Sequence, residues 1–239
     1  MGVTSQRPDV PAHIRDAIDQ LRIALGEASE VASAALYGSF VRGGYSPAGS
    51  DINLAVVVCS DDLEGLVRPL QTAWRAARID PWIAREGELP GLTDAFATRI
   101  RDIQRTHEIL VGNDPWSSLT IPAPALRLRL EQELRNHQMR LRHARVLGDP
   151  ASRARQLYIA AGALRLELSL LEEVAGGGVH EAIEPLAIAI AARFEVTRAD
   201  VHTVLDYKVH PGAASPELLA TFARLLDRAV TFVDAMEVV

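Results

Sequence analysis

Cysteine occurs once in the 239 residues, as Cys59, so no disulfide can form within one chain and zinc sites built from several thiolates are excluded. A reducing, cytoplasmic setting is the expectation, with Cys59 packed in the sheet as a small apolar residue. Lysine is equally scarce: Lys208 is the one lysine among 25 Lys and Arg, and the rest are arginines. Positive charge is also short. Lys+Arg 25 against Asp+Glu 31 leaves a net charge of −6, without the cationic excess that a general phosphate-backbone binder needs, so bulk nucleic acid is not an expected partner. Long hydrophobic runs are missing as well. The stretches Leu54 to Cys59 and Leu186 to Ala192 fall far short of the roughly 20 residues that span a bilayer. The first residues, Met1-Gly2-Val3-Thr4-Ser5-Gln6, carry neither an apolar secretory core nor the Ser or Thr of a myristoylation signal at position 6, so no membrane address is expected.

What is present suits a packed, ordinary protein: 48% hydrophobic and 23% charged residues, over a length that predicts one or two domains at roughly 150 residues each. Ile14, Ile18, Leu21 and Leu25 recur at helical spacing and predict a first helix over 11–27. Val31 to Tyr37 and Asp51 to Val58 read as strands. Ser60 reads as the cap of a helix ending near Ala77, with Leu63, Leu66, Val67, Leu70 and Trp74 on its buried side. A third strand is expected over Arg78 to Ala84, with Pro81, which cannot donate a ladder bond, implying an edge position or a strand end, and a further helix between Thr93 and Val111. Gly112-Asn113-Asp114-Pro115 and Ile121-Pro122-Ala123-Pro124 interrupt the chain, and beyond them every apolar pattern is helical. The expected class is α+β: a mixed-sheet domain over residues 1–122, then an all-helical bundle over residues 123–239, with a site between them.

The informative segment runs Leu36-Tyr37-Gly38-Ser39-Phe40-Val41-Arg42-Gly43 and then Gly49-Ser50-Asp51-Ile52-Asn53-Leu54. Gly38 permits a tight turn after a strand, and Ser39 offers a hydroxyl and an amide at what reads as the start of a short helix, a place that favours phosphate. On the next strand Asp51 and Asn53 share one face while Ile52, Leu54 and Val56 point into a core. Asp80, on the third strand, adds another oxygen. Such hard donors around a phosphate suit magnesium, which keeps positions open for water and triphosphate. The seven histidines show no metal-ligand spacing, with His137 and His143 read as surface residues, and the arginines from Arg127 to Arg145 read as a solvated helix face in preference to a surface that steers a triphosphate or an acidic partner.

At Gly38-Ser39, Arg42-Gly43, Ser50-Asp51 and Asp80 the sequence resembles the DNA polymerase β superfamily of nucleotidyltransferases, in particular bacterial members related to kanamycin nucleotidyltransferase and the minimal nucleotidyltransferases. The resemblance implies a magnesium-bound nucleoside triphosphate, ATP being the expected one, attacked at its α-phosphorus by a hydroxyl of a small molecule or protein. It assigns catalysis to Asp51 and Asp80, triphosphate binding to Gly38, Ser39, Arg42 and Ser50, and metal binding to Asp51, Asn53 and Asp80. Asn53 departs from the family pattern, which has a carboxylate there. A unit charge pair about 4 Å apart is worth on the order of 4 kcal/mol at an effective dielectric of about 20, so the loss weakens a two-metal site. Two readings therefore stand: a transferase of reduced activity, with Glu131, Glu133, Glu167 or Glu172 as sources of a replacement carboxylate, or a degenerate relative that binds nucleotide or a protein partner, an antitoxin-like role included. Either is compatible with a homodimer.

Overall fold

The computed structural model describes residues 10–43, 45 and 50–236. Its chain forms two compact units, residues 1–121 and 122–239. The first contains a four-stranded sheet. Strands β1 (Val31–Tyr37), β2 (Ile52–Val58), β3 (Ile79–Arg85) and β4 (His107–Gly112) lie in the order β3-β2-β1-β4. β1 pairs antiparallel with β2 and with β4, whereas β2 and β3 run parallel, so the sheet is mixed.

Helices cover both faces. On one, α1 (Ala12–Glu27) and α2 (Glu64–Ala77) bury Ile14, Ile18, Leu21, Leu25, Leu66 and Leu70 against Leu36, Ile52, Leu54, Val56 and Ile79. On the other, Leu89 of α3 (Leu89–Ala95), Ile100 and Ile103 of α4 (Ala97–Arg105) and the loop residue Trp116 cover Ala35, Ala55, Val57 and Ala84. This two-sided burial explains why β2 reads as a nearly unbroken apolar run.

Three local expectations are corrected. Val67 and Trp74 are each 45% exposed, because the buried stripe of α2 is Leu66, Leu70, Ala73 and Ala77, at spacings of four, three and four. The helix expected up to Val111 stops at Arg105, after which Thr106 leaves the helical region and β-branched Ile109 and Val111 enter β4 beside β1. Cys59 is exposed, with its thiol near the carbonyls of Ser29 and Glu30, since it follows the last paired residue of β2. Pro81 does sit on an edge strand, where a missing N–H is tolerated.

The second unit is helical among its described residues: α5 (Ala123–Leu147), α6 (Pro150–Val174), α7 (Ile183–Phe194), α8 (Arg198–Asp206) and α9 (Pro216–Ala235). Asp149, Thr197 and Ser215 cap α6, α8 and α9, each accepting from a backbone N–H three residues on. Leu126, Leu130, Leu134 and Leu141 are buried as their spacing requires. His137, by contrast, is not a surface residue. It is buried, with Nε2 3.0 Å from Glu167 Oε1, because it occupies the α5 stripe between Leu134 and Leu141 that faces α6.

Candidate functional site

The antiparallel pairing of β1 with β2 and β4 brings the last residue of β1 to the same end of the sheet as the first residues of β2, β3 and β4. Tyr37 stands opposite Asn53 on one side and His107 on the other, and Asn53 stands opposite Asp80. Asp51 directly precedes β2, so both carboxylates and the carboxamide meet at that end. Side chains alternate along a strand, which places Asp51, Asn53 and Tyr37 on the α3/α4 face.

The turn after β1 is held by α4. Gly38 adopts φ +76°, the left-handed region that favours glycine, and its N–H is shared between the Thr106 carbonyl at 3.2 Å and Thr106 Oγ1 at 3.3 Å. A Cβ at Gly38 would stand 2.8 Å from Asn53 Nδ2, so Asn53 would have to shift, and 3.4 Å from Asp102 Oδ2, an ordinary contact. Residues 38–43 form turns and do not open the short helix expected after Ser39. Gly38 and Gly43 both take positive φ, and an α-type bond joins Arg42 N to Gly38 O without propagating. The candidate cradle is therefore a glycine turn, not a helix terminus. Ser39 is half-buried and Ser50 is buried, while Gly49 lies outside the described residues.

Arg42 does not extend into open space. Its Nη1 donates to Asp102 Oδ1 and lies 3.3 Å from Thr106 Oγ1, and the Arg42–Asp102 pair is largely buried. Asp102 and Thr106 escaped sequence reading. Their only signal was a buried-side position in the α4 pattern, where a carboxylate among Ile100 and Ile103 is unusual.

Arg78, the left-handed cap residue that ends α2, places Nη2 2.7 Å from Asp51 Oδ1. That oxygen is buried and accepts no well-aligned hydrogen bond. Asp80 is exposed. Tyr37 is buried, and desolvation pushes its phenol up to about 12. The opposing effect of Arg99 is partly cancelled by Asp102 and Asp80. Tyr37 thus stays a neutral hydroxyl at any physiological pH.

Among the described residues no three His, Cys, Asp or Glu side chains gather as a metal-binding cluster. The donor set at this end is two carboxylates and an amide, one carboxylate oxygen being buried without a hydrogen bond. Such a set fits one magnesium that takes its remaining ligands from phosphate and water; it does not fit a closed protein cage or a pair of metals. The four glutamates considered as replacements are engaged within their own unit: Glu131 with Arg127 and Arg135, Glu133 with Arg129, Glu167 with His137, and Glu172 with Arg193.

Residues 18–110 match the family model of the nucleotidyltransferase domain, a span that runs from within α1 into β4 and includes the whole site. The match supports the nucleotidyltransferase superfamily for this part of the chain, with nucleotidyl transfer as its general activity and a nucleoside triphosphate as the substrate that activity implies. No curated protein matches the chain. Among the described residues no helix is long and apolar enough to cross a membrane.

Proposed function

We propose that the protein transfers a nucleoside monophosphate from a magnesium-bound triphosphate, ATP in the first instance, to a hydroxyl of a small molecule or protein. The observation that carries this reading is the convergence of Asp51 and Asp80 beside the Gly38-Ser39 turn at one end of the mixed sheet, inside the segment that matches the nucleotidyltransferase domain. Asp51 and Asp80, assisted by the Asn53 carbonyl, would hold one magnesium. That ion supplies charge neutralisation on the triphosphate and makes the α-phosphorus more electrophilic.

The chain's own residues do the rest. Ser39 and Ser50 bind the β- and γ-phosphates through hydroxyl and backbone N–H donors, and Gly38, whose own N–H is held by Thr106, keeps the turn free of a side chain. Asp80, exposed to the acceptor, takes the proton of its hydroxyl as the new oxygen–phosphorus bond forms. The bond to the β-phosphate oxygen breaks, and pyrophosphate leaves with that electron pair. Arg42 acts through the turn it braces.

A second reading is favoured by one specific observation, the amide at position 53 with no third metal-binding carboxylate gathered beside the other two among the described residues. On that reading the site binds nucleotide, or a protein partner, without turnover. One experiment separates them: magnesium-dependent ATP binding and pyrophosphate release for the wild type, Asp51→Ala and Asp80→Ala. Transfer requires that wild type release pyrophosphate and both variants lose it by several orders of magnitude. Binding that depends on Asp51 with no release in the presence of varied hydroxyl acceptors would select the second reading. Binding indifferent to both aspartates would overturn both.

A further inference from the structure

Asp102 is 5% exposed in the middle of α4, where several parts of the site meet. Its Oδ1 accepts from Arg42. One helical turn on, the Thr106 hydroxyl donates to the Asp102 carbonyl at 2.9 Å, and Thr106 in turn receives the N–H of Gly38. The second carboxylate oxygen, Oδ2, abuts the point from which a Gly38 side chain would grow, and Asn53 Nδ2 abuts the same point. A carboxylate and a carboxamide therefore flank the glycine turn and face one small volume, with the Arg42 guanidinium supplying the compensating charge.

We infer that Asp102 is the positioning residue of the triphosphate turn and the reason that position 53 holds an amide. The negative charge that Arg42 needs is provided from α4. A second carboxylate at 53 would share the volume beside Gly38 with Asp102 Oδ2, while the Arg42 guanidinium is engaged at Oδ1, and the two anions would repel. Asn53 is then a neutral partner to a carboxylate, and not merely a metal ligand that lost its charge. This inference rests on the proposal that the turn receives a triphosphate.

The pair should be exchangeable. The test uses the full chain as wild type, Asn53→Asp, Asp102→Asn and the double variant, with thermal unfolding in the absence of nucleotide and calorimetric titration with magnesium–ATP well below the midpoint. Each single variant should lower the midpoint by roughly 3–8 °C, the range expected for the loss of one buried charged contact in a chain of this size. Each should also weaken magnesium–ATP binding at least tenfold. The double variant, which restores one carboxylate and one amide with places exchanged, should recover most of both losses. Asn53→Asp that binds magnesium–ATP more tightly than wild type at an unchanged midpoint would overturn the inference, because position 53 would then be a vacant metal ligand. Strictly additive losses would overturn it too. So would Asp102→Asn that melts early yet binds with wild-type affinity, since Asp102 would then only stabilise the fold. If wild type binds no magnesium–ATP while the exchange still rescues the midpoint, the nucleotidyltransferase reading fails and the coupling of 53 to 102 stands.

Discussion

Replacing Gly38 by alanine isolates what the glycine turn contributes. Its φ of +76° is unfavourable for an L-residue by about 1–2 kcal/mol. The new methyl would lie 2.8 Å from Asn53 Nδ2, so the Asn53 side chain must rotate, and an off-rotamer side chain costs about 0.5–1.5 kcal/mol more. The loss should therefore be about 2–3 kcal/mol, or roughly 5–10 °C in the unfolding midpoint for a chain of this length. Gly176 provides the control. It has φ +77° but nothing within 4 Å of the Cβ position, so Gly176→Ala should show only the backbone part, about 1–2 kcal/mol. Adding Asn53→Ala to Gly38→Ala removes the crowding and should return the excess, which a double-mutant cycle in urea would measure. Magnesium–ATP titration of Gly38→Ala should show binding weakened at least tenfold, because the strained turn and the displaced Asn53 side chain shift Ser39 and the metal-holding end of β2. A Gly38→Ala variant that loses no more stability than Gly176→Ala and binds as wild type does would show that the glycine turn carries neither the crowding nor the ligand.

Three other substitutions probe single groups, Tyr37 and Arg78 in the first unit and His137 in the second. Tyr37 ionises at about 12 in the folded chain against 10.0 normally, so the stability it contributes is complete below pH 10 and is lost as pH rises to about 12. At about 1.4 kcal/mol per pH unit this amounts to roughly 3 kcal/mol, and Tyr37→Phe should flatten that alkaline limb in denaturant titrations run across this range. His137→Ala should cost about 3 kcal/mol, because it strands the buried carboxylate of Glu167, whose Oε2 already lacks a hydrogen bond; a loss under about 1 kcal/mol in urea unfolding would show that the pair carries little. Arg78→Gly should leave stability within about 1 kcal/mol of wild type, since the ion pair to Asp51 is half-exposed and glycine suits the φ of +52°. It should also raise magnesium–ATP affinity severalfold by freeing Asp51, and an unchanged or weaker affinity would show that Arg78 does not compete for that carboxylate.

The sequence by itself determined the elements whose patterns are local. The four-three-four spacing of α1, the leucine stripes of α5 and α6, the caps Thr197 and Ser215, and the edge placement of the Pro81 strand all follow from rules that act within a few residues. The order Gly38-Ser39, Asp51, Asp80 was legible for the same reason, because a turn after a strand and polar residues at strand starts are local signals. Only the tertiary structure decided what depended on long-range pairing. β4 is a strand because β1 offers it a partner about 70 residues earlier in the chain, and nothing within its own six residues shows that offer. His137 and Asp102 are charged-type residues in apolar stripes, and whether such a residue bends to water or finds a buried partner depends on Glu167 and Arg42, which sequence distance hides. The environment of Asn53 is of this kind. An amide at that position reads as a missing charge until folding brings Asp102 to the same side of Gly38, since electrostatic neighbours are set by distance in space and not by position along the chain.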